Sequence, residues 1–388
     1  MPQPPLQRLC YVCEATEGGV RKHLRDLLRV FLRAEENFEI LGIFGDRGEK
    51  GFADEVAALA AQHPNFRYAI VPELRRPINP LRDWPAYARI RGLLREFRPD
   101  IVHTHSAKGG FLGRKASRAL GIRRVIHTPH VFPFQMSGGL RGRVYLALER
   151  HAARLCSALV CVGPSQRACA LERRLCAPEK LVVIRNALDS APPPTGSRTE
   201  ARRRLKLGET GLVVGMVARL APQKGVGRFV RAAALVLKQL PESTFVLVGG
   251  GLLEAELRAR AATLGVPPER FRIEGHREDA HELYPAFDVL ALSSLYEGLP
   301  YVLLEAMARG VPVVATDVPG TNDVVVDEET GLLARVNDES HIARQIVRIL
   351  ADPALRTRLC AASLERVRTV FSFEDFIRGH RALYRPEE

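Results

Sequence analysis

Four groups of residues in this chain have the types and spacings that chemistry needs. The first is Ala218-Arg219-Leu220-Ala221-Pro222-Gln223-Lys224-Gly225, where two cations five residues apart lie between an apolar run and a helical pattern. A guanidinium can grip one phosphate by paired hydrogen bonds while an ammonium faces its neighbour as a point charge, so a diphosphate is the natural guest. Taken alone, the same two residues also read as cations on a solvated loop. The second is Tyr296-Glu297-Gly298-Leu299-Pro300-Tyr301-Val302-Leu303-Leu304-Glu305-Ala306-Met307. It sets Glu297 in a loop and Glu305 in the opening turns of a helix. Both carboxylates can accept hydrogen bonds from sugar hydroxyls, and the helix start between them can face a phosphate. The third is Glu17-Gly18-Gly19-Val20, a glycine pair feeding a helix, which suits an anion but lacks the dinucleotide spacing G-x-G-x-x-G. The fourth gathers imidazoles at two strand ends, Ile101-Val102-His103-Thr104-His105-Ser106 and His127-Thr128-Pro129-His130. A divalent metal on His103 and His105 would need a third ligand, which the spacing does not place, so no metal is assigned.

Stepping along the chain, short β-branched runs alternate with longer amphipathic segments, the mark of parallel α/β construction. Strands are expected at Leu9–Cys13, Phe38–Phe44, Phe66–Val71, Ile101–His103, Arg124–Thr128 and Ala158–Val162. A second set follows at Leu212–Ala218, Ser243–Gly249, Phe271–Glu274, Asp288–Leu292 and Val311–Thr316. Val20, Leu24, Leu27, Leu28 and Phe31 recur at helical spacing and predict a helix from Val20 to Leu32 with one buried face. A further helix is expected over Val226–Leu240, and Phe373–Tyr384 is amphipathic.

At 388 residues the chain is long enough for two domains, and 46% hydrophobic with 26% charged residues excludes collagen, coiled coil and a disordered chain. No apolar run approaches a membrane span, and the first ten residues lack the layout of a secretory signal. Seven cysteines form no dense framework, which fits a reducing compartment, and Cys10 and Cys13 read as buried fillers of the first strand. The formal charge of +13 is uneven: residues 1–190 hold 31 Lys and Arg against 18 Asp and Glu, and residues 191–388 hold 26 of each. Such a half suits an anionic partner, and Arg-rich solvated helices are the plain alternative.

In this order the pieces resemble the retaining glycosyltransferases of the GT-B fold, specifically the large fourth family. The likeness is carried by Gly18-Gly19, Thr128-Pro129-His130, Asn186-Ala187-Leu188-Asp189, Arg219 with Lys224-Gly225, Gly249-Gly250-Gly251, and the block from Glu297 to Glu305 continued by Gly310-Val311-Pro312-Val313-Val314-Ala315. The resemblance implies an α/β architecture of two facing Rossmann-like domains. It makes residues 1–190 the acceptor-side domain, 191–209 a linker and 210–370 the nucleotide-sugar domain, with a helix in 371–388 crossing back to the first. It also implies that Arg219 and Lys224 neutralise the donor diphosphate, that Gly18 and Gly19 offer backbone N–H groups, that Glu305 binds ribose and that Glu297 binds the transferred sugar. Gly298, Leu299, Tyr301 and Val302 join the donor site, His130 lies near the reacting centre, and His103, His105 and Lys108 are candidates on the acceptor side. Ala187, Val131 and Tyr301 depart from residues common in the family at those points, and none removes a charged group.

The expected activity is retaining transfer of a hexosyl residue from a UDP- or GDP-linked sugar to a lipid-linked or other cell-envelope glycan. No cofactor or metal is expected, since D-x-D is absent from the sequence. The expected place is the cytoplasm, at the inner face of the plasma membrane, with an anionic membrane surface as a candidate partner. Nucleic acid is not expected, because aromatics are only 6% and do not interleave with the cations. A transferase for a soluble acceptor, a non-catalytic nucleotide-sugar-binding protein and a sugar-nucleotide epimerase are the competing readings.

Overall fold

The computed structural model describes residues 5–46, 51–75, 79–189 and 197–385. They divide into two compact units, Met1–Arg185 with Asp375–Glu388, and Asn186–Glu374. The first unit is built on strands β1 (Gln7–Cys13), β2 (Phe38–Gly45), β3 (Phe66–Val71), β4 (Ile101–His105), β5 (Arg124–Thr128), β6 (Ala158–Cys161) and β7 (Leu181–Val183). The second uses β8 (Val213–Val217), β9 (Thr244–Val248), β10 (Phe271–Gly275), β11 (Val289–Leu292), β12 (Val313–Thr316) and β13 (Leu332–Ala334). The sheets run β3-β2-β1-β4-β5-β6-β7 and β10-β9-β8-β11-β12-β13, and the paired strands are parallel. Both orders reverse beside the first strand of the unit, so two neighbouring loops diverge there and open a crevice at the carboxyl ends of the strands. In the first unit that point lies between β1 and β4; in the second it lies between β8 and β11.

The strands are apolar because helices cover both faces. Leu9, Cys10, Tyr11, Val12 and Cys13 of β1 are fully buried, and Cys10 and Cys13 are thiols packed as fillers. The helix Gly18–Phe31 buries Leu24, Leu27, Leu28 and Phe31, as its periodicity predicts, and begins two residues earlier than expected. In β4 the ladder continues past His103, pairing Thr104 with His127 and His105 with Thr128. Strands β7 and β13 have three residues each, too few for a periodic signal.

The terminal helix spans Phe373–Tyr384, as expected, and from Asp375 onward it belongs to the first unit. Tyr384 packs edge-on against Phe31 and Phe38, its hydroxyl lies 3.2 Å from that of Tyr11, and Arg381 pairs with Glu36.

The stretch expected to be a linker, 191–209, is only in part a connection. Residues 190–196 lie outside the described residues, and Arg198–Arg204 is a helix. Its Arg202 is buried and donates to the carbonyls of Gly208 (3.1 Å), Glu209 (2.9 Å) and Gly211 (2.8 Å) and to Asp288 Oδ2 (3.1 Å). Asp288 also accepts from the backbone N–H of Val213, so one ion pair fastens the segment to the edges of both β8 and β11. Composition missed this because an Arg-rich helix has no apolar stripe to betray its buried member. Removing one partner of such a pair strands the other's charge. Arg202→Met is therefore expected to lower the stability of the second unit by about 3 kcal/mol in urea unfolding, whereas Arg198→Ala, at a half-exposed site, should stay within about 1 kcal/mol.

Candidate active site

In the second unit the loops after β8 and β11 are locked together. Leu295 N–H donates to Gln223 O at 2.8 Å, and Gln223 Nε2 donates to Tyr296 O at 3.1 Å. Gly225 has φ +60°, and a Cβ there would lie 2.0 Å from Ser293 O, so only glycine permits this approach. The result is a close charge pair: Lys224 Nζ lies 2.6 Å from Glu297 Oε1, and Ser294 Oγ donates to the same oxygen at 2.6 Å. Glu297 is buried, and Arg219 lies half-buried on the Lys224 loop. The glycine run after β9 supports that loop. A Cβ on Gly249 would fall 1.9 Å from Ala218 O, and Leu220 N–H donates to Gly250 O at 2.9 Å.

Glu305 lies on a helix of seven residues, Tyr301–Met307, and its Oε2 accepts from the Tyr284 hydroxyl at 2.6 Å. Burial and the carboxylate push the Tyr284 phenol well above its ordinary pKa, which keeps it a donor. Arg309 lies over the Tyr284 ring and donates to Glu305 O. Between the two glutamates, Gly298, Leu299 and Tyr301 are buried and Val302 is half-buried. Asn186 Nδ2 donates to Leu299 O at 2.9 Å, and Thr316 Oγ1 donates to Ser294 O at 2.5 Å. The block is thus held from three sides, by residues before β8, after β8 and at the end of β12. The sequence marks Asn186 as part of a motif without giving it a role, while Ser294 and Tyr284 carry no sequence signal, since nothing in their spacing marks the partner.

In the first unit, Gly18 (φ +51°) and Gly19 are exposed at the start of the helix Gly18–Phe31, whose first turn carries no acidic side chain. The neighbouring helix Ala107–Ala119 is different. Its first N–H groups, from Lys108 (3.0 Å) and Gly109 (2.8 Å), donate to the buried carboxylate of Glu14. The protein's own anion fills that helix start, a role the sequence reading did not see. Lys108 Nζ is paired with Asp83 at 2.5 Å, so its charge is balanced within the fold.

Six of the 11 histidines are buried, all in the first unit. His103 is fully enclosed, with Nδ1 2.7 Å from the Tyr384 hydroxyl and Nε2 2.8 Å from Thr128 Oγ1. Both of its nitrogens are thus engaged inside the core as the fold stands. His105, two residues on and on the same face of β4, shares a hydrogen bond of 3.2 Å with His130 Nε2. His130 has φ +60°, a strained conformation for a side chain of this size. His23, four residues after Gly19, packs edge-on against His130 with ring centres 4.8 Å apart. The missed signal was a histidine beside the apolar stripe of its helix. His127 lies across the sheet, where Arg114 and Glu149 form a buried pair at 2.9 Å.

Burial lowers the pKa of His103, His105 and His127 well below the ordinary value, with Arg114 adding to the effect at His127. Burial also lowers His130 to about 3 and His380 to about 4. The unfolded chain therefore binds more protons than the folded one below about pH 6.5, each such group removing up to about 1.4 kcal/mol of stability per pH unit. The sign follows directly: stability is full above pH ~6.5 and is lost as pH falls toward the folded values. The first unit is expected to lose about 3 kcal/mol between pH 6.5 and pH 5 from His130 and His380 alone. In the second unit His276 and His281 are exposed and His341 is half-buried, so its transition should move less. Calorimetry across this range checks the difference; two transitions that shift equally would contradict it.

Two family models match the chain: one described as glycosyl transferases group 1 over residues 197–366, and one described as glycosyltransferase family 4 over residues 17–191. The chain is 33% identical over 296 residues to the UDP-Gal:alpha-D-GlcNAc-diphosphoundecaprenol alpha-1,3-galactosyltransferase of Escherichia coli, covering 75% of this chain and 76% of the relative. It is 32% identical over 307 residues to the D-inositol 3-phosphate glycosyltransferase of Salinispora arenicola, covering 74% and 68%. Among solved structures, HepE of Anabaena, crystallised with UDP and glucose, superposes with a TM-score of 0.80 at 21% identity, covering 97% of this chain and 99% of that one, which establishes the likeness of fold. Two parallel sheets with reversed strand order, a cation pair and two carboxylates at one strand-order reversal, and these relatives agree: the chain belongs to the group 1 glycosyltransferases and has their GT-B architecture.

Proposed function

We propose that the protein transfers a hexosyl residue, with retention and without a metal, from a nucleoside diphosphate sugar to a lipid-linked or other cell-envelope glycan. The observation that carries this reading is the Lys224–Glu297 pair at the β8/β11 reversal, with Arg219 on the same loop. A leaving diphosphate gathers negative charge as the sugar bond breaks, and positioned cations stabilise that charge more than they stabilise the bound substrate. Arg219 and Lys224 serve the diphosphate. Glu297 accepts from the transferred sugar, Glu305 from the ribose, and the backbone of Gly298, Leu299, Tyr301 and Val302 completes the donor contacts. Gly18 and Gly19 offer N–H groups, and His130, neutral at pH 7, serves the reacting centre without adding a charge. UDP is favoured over GDP because the Escherichia coli relative uses UDP-Gal and HepE was crystallised with UDP.

The acceptor side of the reading rests on the surface of the first unit. Among the described residues no helix is long and apolar enough to cross a membrane. The helix Gly139–Ala153 nevertheless exposes Leu140 (77%), Val144 (48%) and Leu148 (37%) at four-residue spacing, beside exposed Arg141, Arg143 and Arg150. The helix Pro80–Phe97 exposes Leu81 (87%) and Trp84 (69%) in its opening turns. Crossover helices run opposite to their strands, so Leu81, Trp84 and Leu140 all stand toward the strand ends where the crevice of this unit opens. Apolar side chains among arginines suit an anionic bilayer surface carrying a lipid-linked acceptor. A soluble acceptor would leave this surface without a use.

Melting the protein with UDP, GDP, ADP and CMP and their sugars tests the donor class, since a ligand at a hundred times its Kd stabilises the fold by about 2.7 kcal/mol. Lys224→Ala should lower turnover at least about a hundredfold, or about 2.7 kcal/mol of transition-state stabilisation, in a protein that still folds but melts lower, because buried Glu297 loses its partner. Glu297→Gln should lower transfer while keeping the shift with UDP; equal loss of both would contradict its place on the sugar. Arg141→Glu with Arg143→Glu should weaken sedimentation with anionic vesicles at low salt and spare donor hydrolysis. Binding that persists unchanged in the variant would overturn the part given to these arginines, and a parent protein that does not sediment with the vesicles would point to a soluble acceptor.

A further inference from the structure

The buried histidines do more than fill the first unit. His23 from the helix Gly18–Phe31, His105 from the end of β4 and His130 from the loop after β5 each present one ring nitrogen within 4.8 Å of the others. The pair His105 Nδ1 and His130 Nε2 lies 3.2 Å apart, close to the edge of about 3.3 Å that two nitrogens span on a tetrahedral zinc with bonds of 2.0–2.1 Å. His105 Nε2 is buried and has no hydrogen-bond partner among the described residues, so this imidazole is incompletely satisfied as the fold stands. His23 and His105 are closed to solvent and His130 is 8% exposed, which makes His130 the ring of the three nearest to solvent.

From this geometry we infer that His23, His105 and His130 form a binding site for Zn²⁺ or a similar divalent transition metal. Three imidazoles with no carboxylate among them suit zinc, nickel or copper and do not suit magnesium or calcium. The metal takes the place of the hydrogen between His105 and His130. That hydrogen either moves to the outer nitrogen of the ring that carried it or leaves to solvent from a protonated pair, and no other bond changes. An outer His105 N–H would then lack an acceptor, and such a missing partner typically costs 10- to 100-fold in affinity. The site is therefore expected to bind in the micromolar range, well short of a permanent structural zinc. Its effect on catalysis rests on the role proposed for His130: a metal on that ring withdraws it from the sugar, so the site is inhibitory.

The test uses the untagged full chain stripped with chelator. Titration calorimetry with Zn²⁺, and the visible spectrum on adding Co²⁺, should report one equivalent bound with a tetrahedral signature. His23→Gln and His105→Gln should each weaken binding at least tenfold, whereas His276→Gln, exposed in the second unit, should bind as the parent does. Melting curves in chelator show which variants fold, and His23→Gln decides the matter should His105→Gln fail to. Absence of stoichiometric binding, or binding indifferent to both substitutions, overturns the site. Zinc should also inhibit transfer, with chelator restoring it. Binding without inhibition upholds the metal site and overturns the role of His130 instead, so the two failures are distinct.

Discussion

A half-buried ammonium held 2.6 Å from a buried carboxylate is the contact on which the second unit is organised. Taking both charges from water is costly, and their attraction offsets that cost only when further hydrogen bonds complete the shell. Ser294 supplies one of these on the Glu297 oxygen that Lys224 faces. The geometry in turn requires the β8 and β11 loops to touch, which requires a glycine at 225, and requires the Glu297 loop to keep its shape, which Asn186, Thr316 and Gly320 enforce. A Cβ on Gly320 would lie 2.3 Å from Gly298 O. The charge pair thus explains backbone features several strands away, and those features hold the two charges in place.

The first unit meets the same strand-order reversal with the opposite device. Its crevice holds a carboxylate that is already satisfied, Glu14 on the start of a helix, and a set of imidazoles that burial keeps neutral. Their cost is paid by the terminal helix, whose Tyr384 completes His103 and whose Phe376 and His380 close over His23. A chain that ended before Phe373 would leave those rings open to water.

Much of this was legible in the sequence because parallel sheets declare themselves. Buried strands read as apolar runs, and the expected strands match the observed ones to within one or two residues. The charged motifs were visible because each lies directly after a strand, where the loop must bring it to the crevice. What remained hidden was of one kind: side chains whose meaning is a partner distant in sequence. Tyr284 is 21 residues from Glu305, Glu14 is 94 from Lys108, and Arg202 is 86 from Asp288. No periodicity marks such pairs, since each partner sits in a different element and register alone brings them together.

His103 and His105 make the point within one strand. Two residues apart, they share a face and are equivalent to any reading by spacing. The ladder decides between them: His103 lies a residue pair deeper, opposite Ile126, where Tyr384 and Thr128 enclose it, while His105 lies opposite Thr128 at the rim, against the strained His130. Depth along a strand separates a core histidine from one that can meet a guest, and depth is fixed by where the neighbouring strand ends. That end is set by Pro129, which has no N–H to extend a ladder and turns the chain so that His130 faces back onto β4.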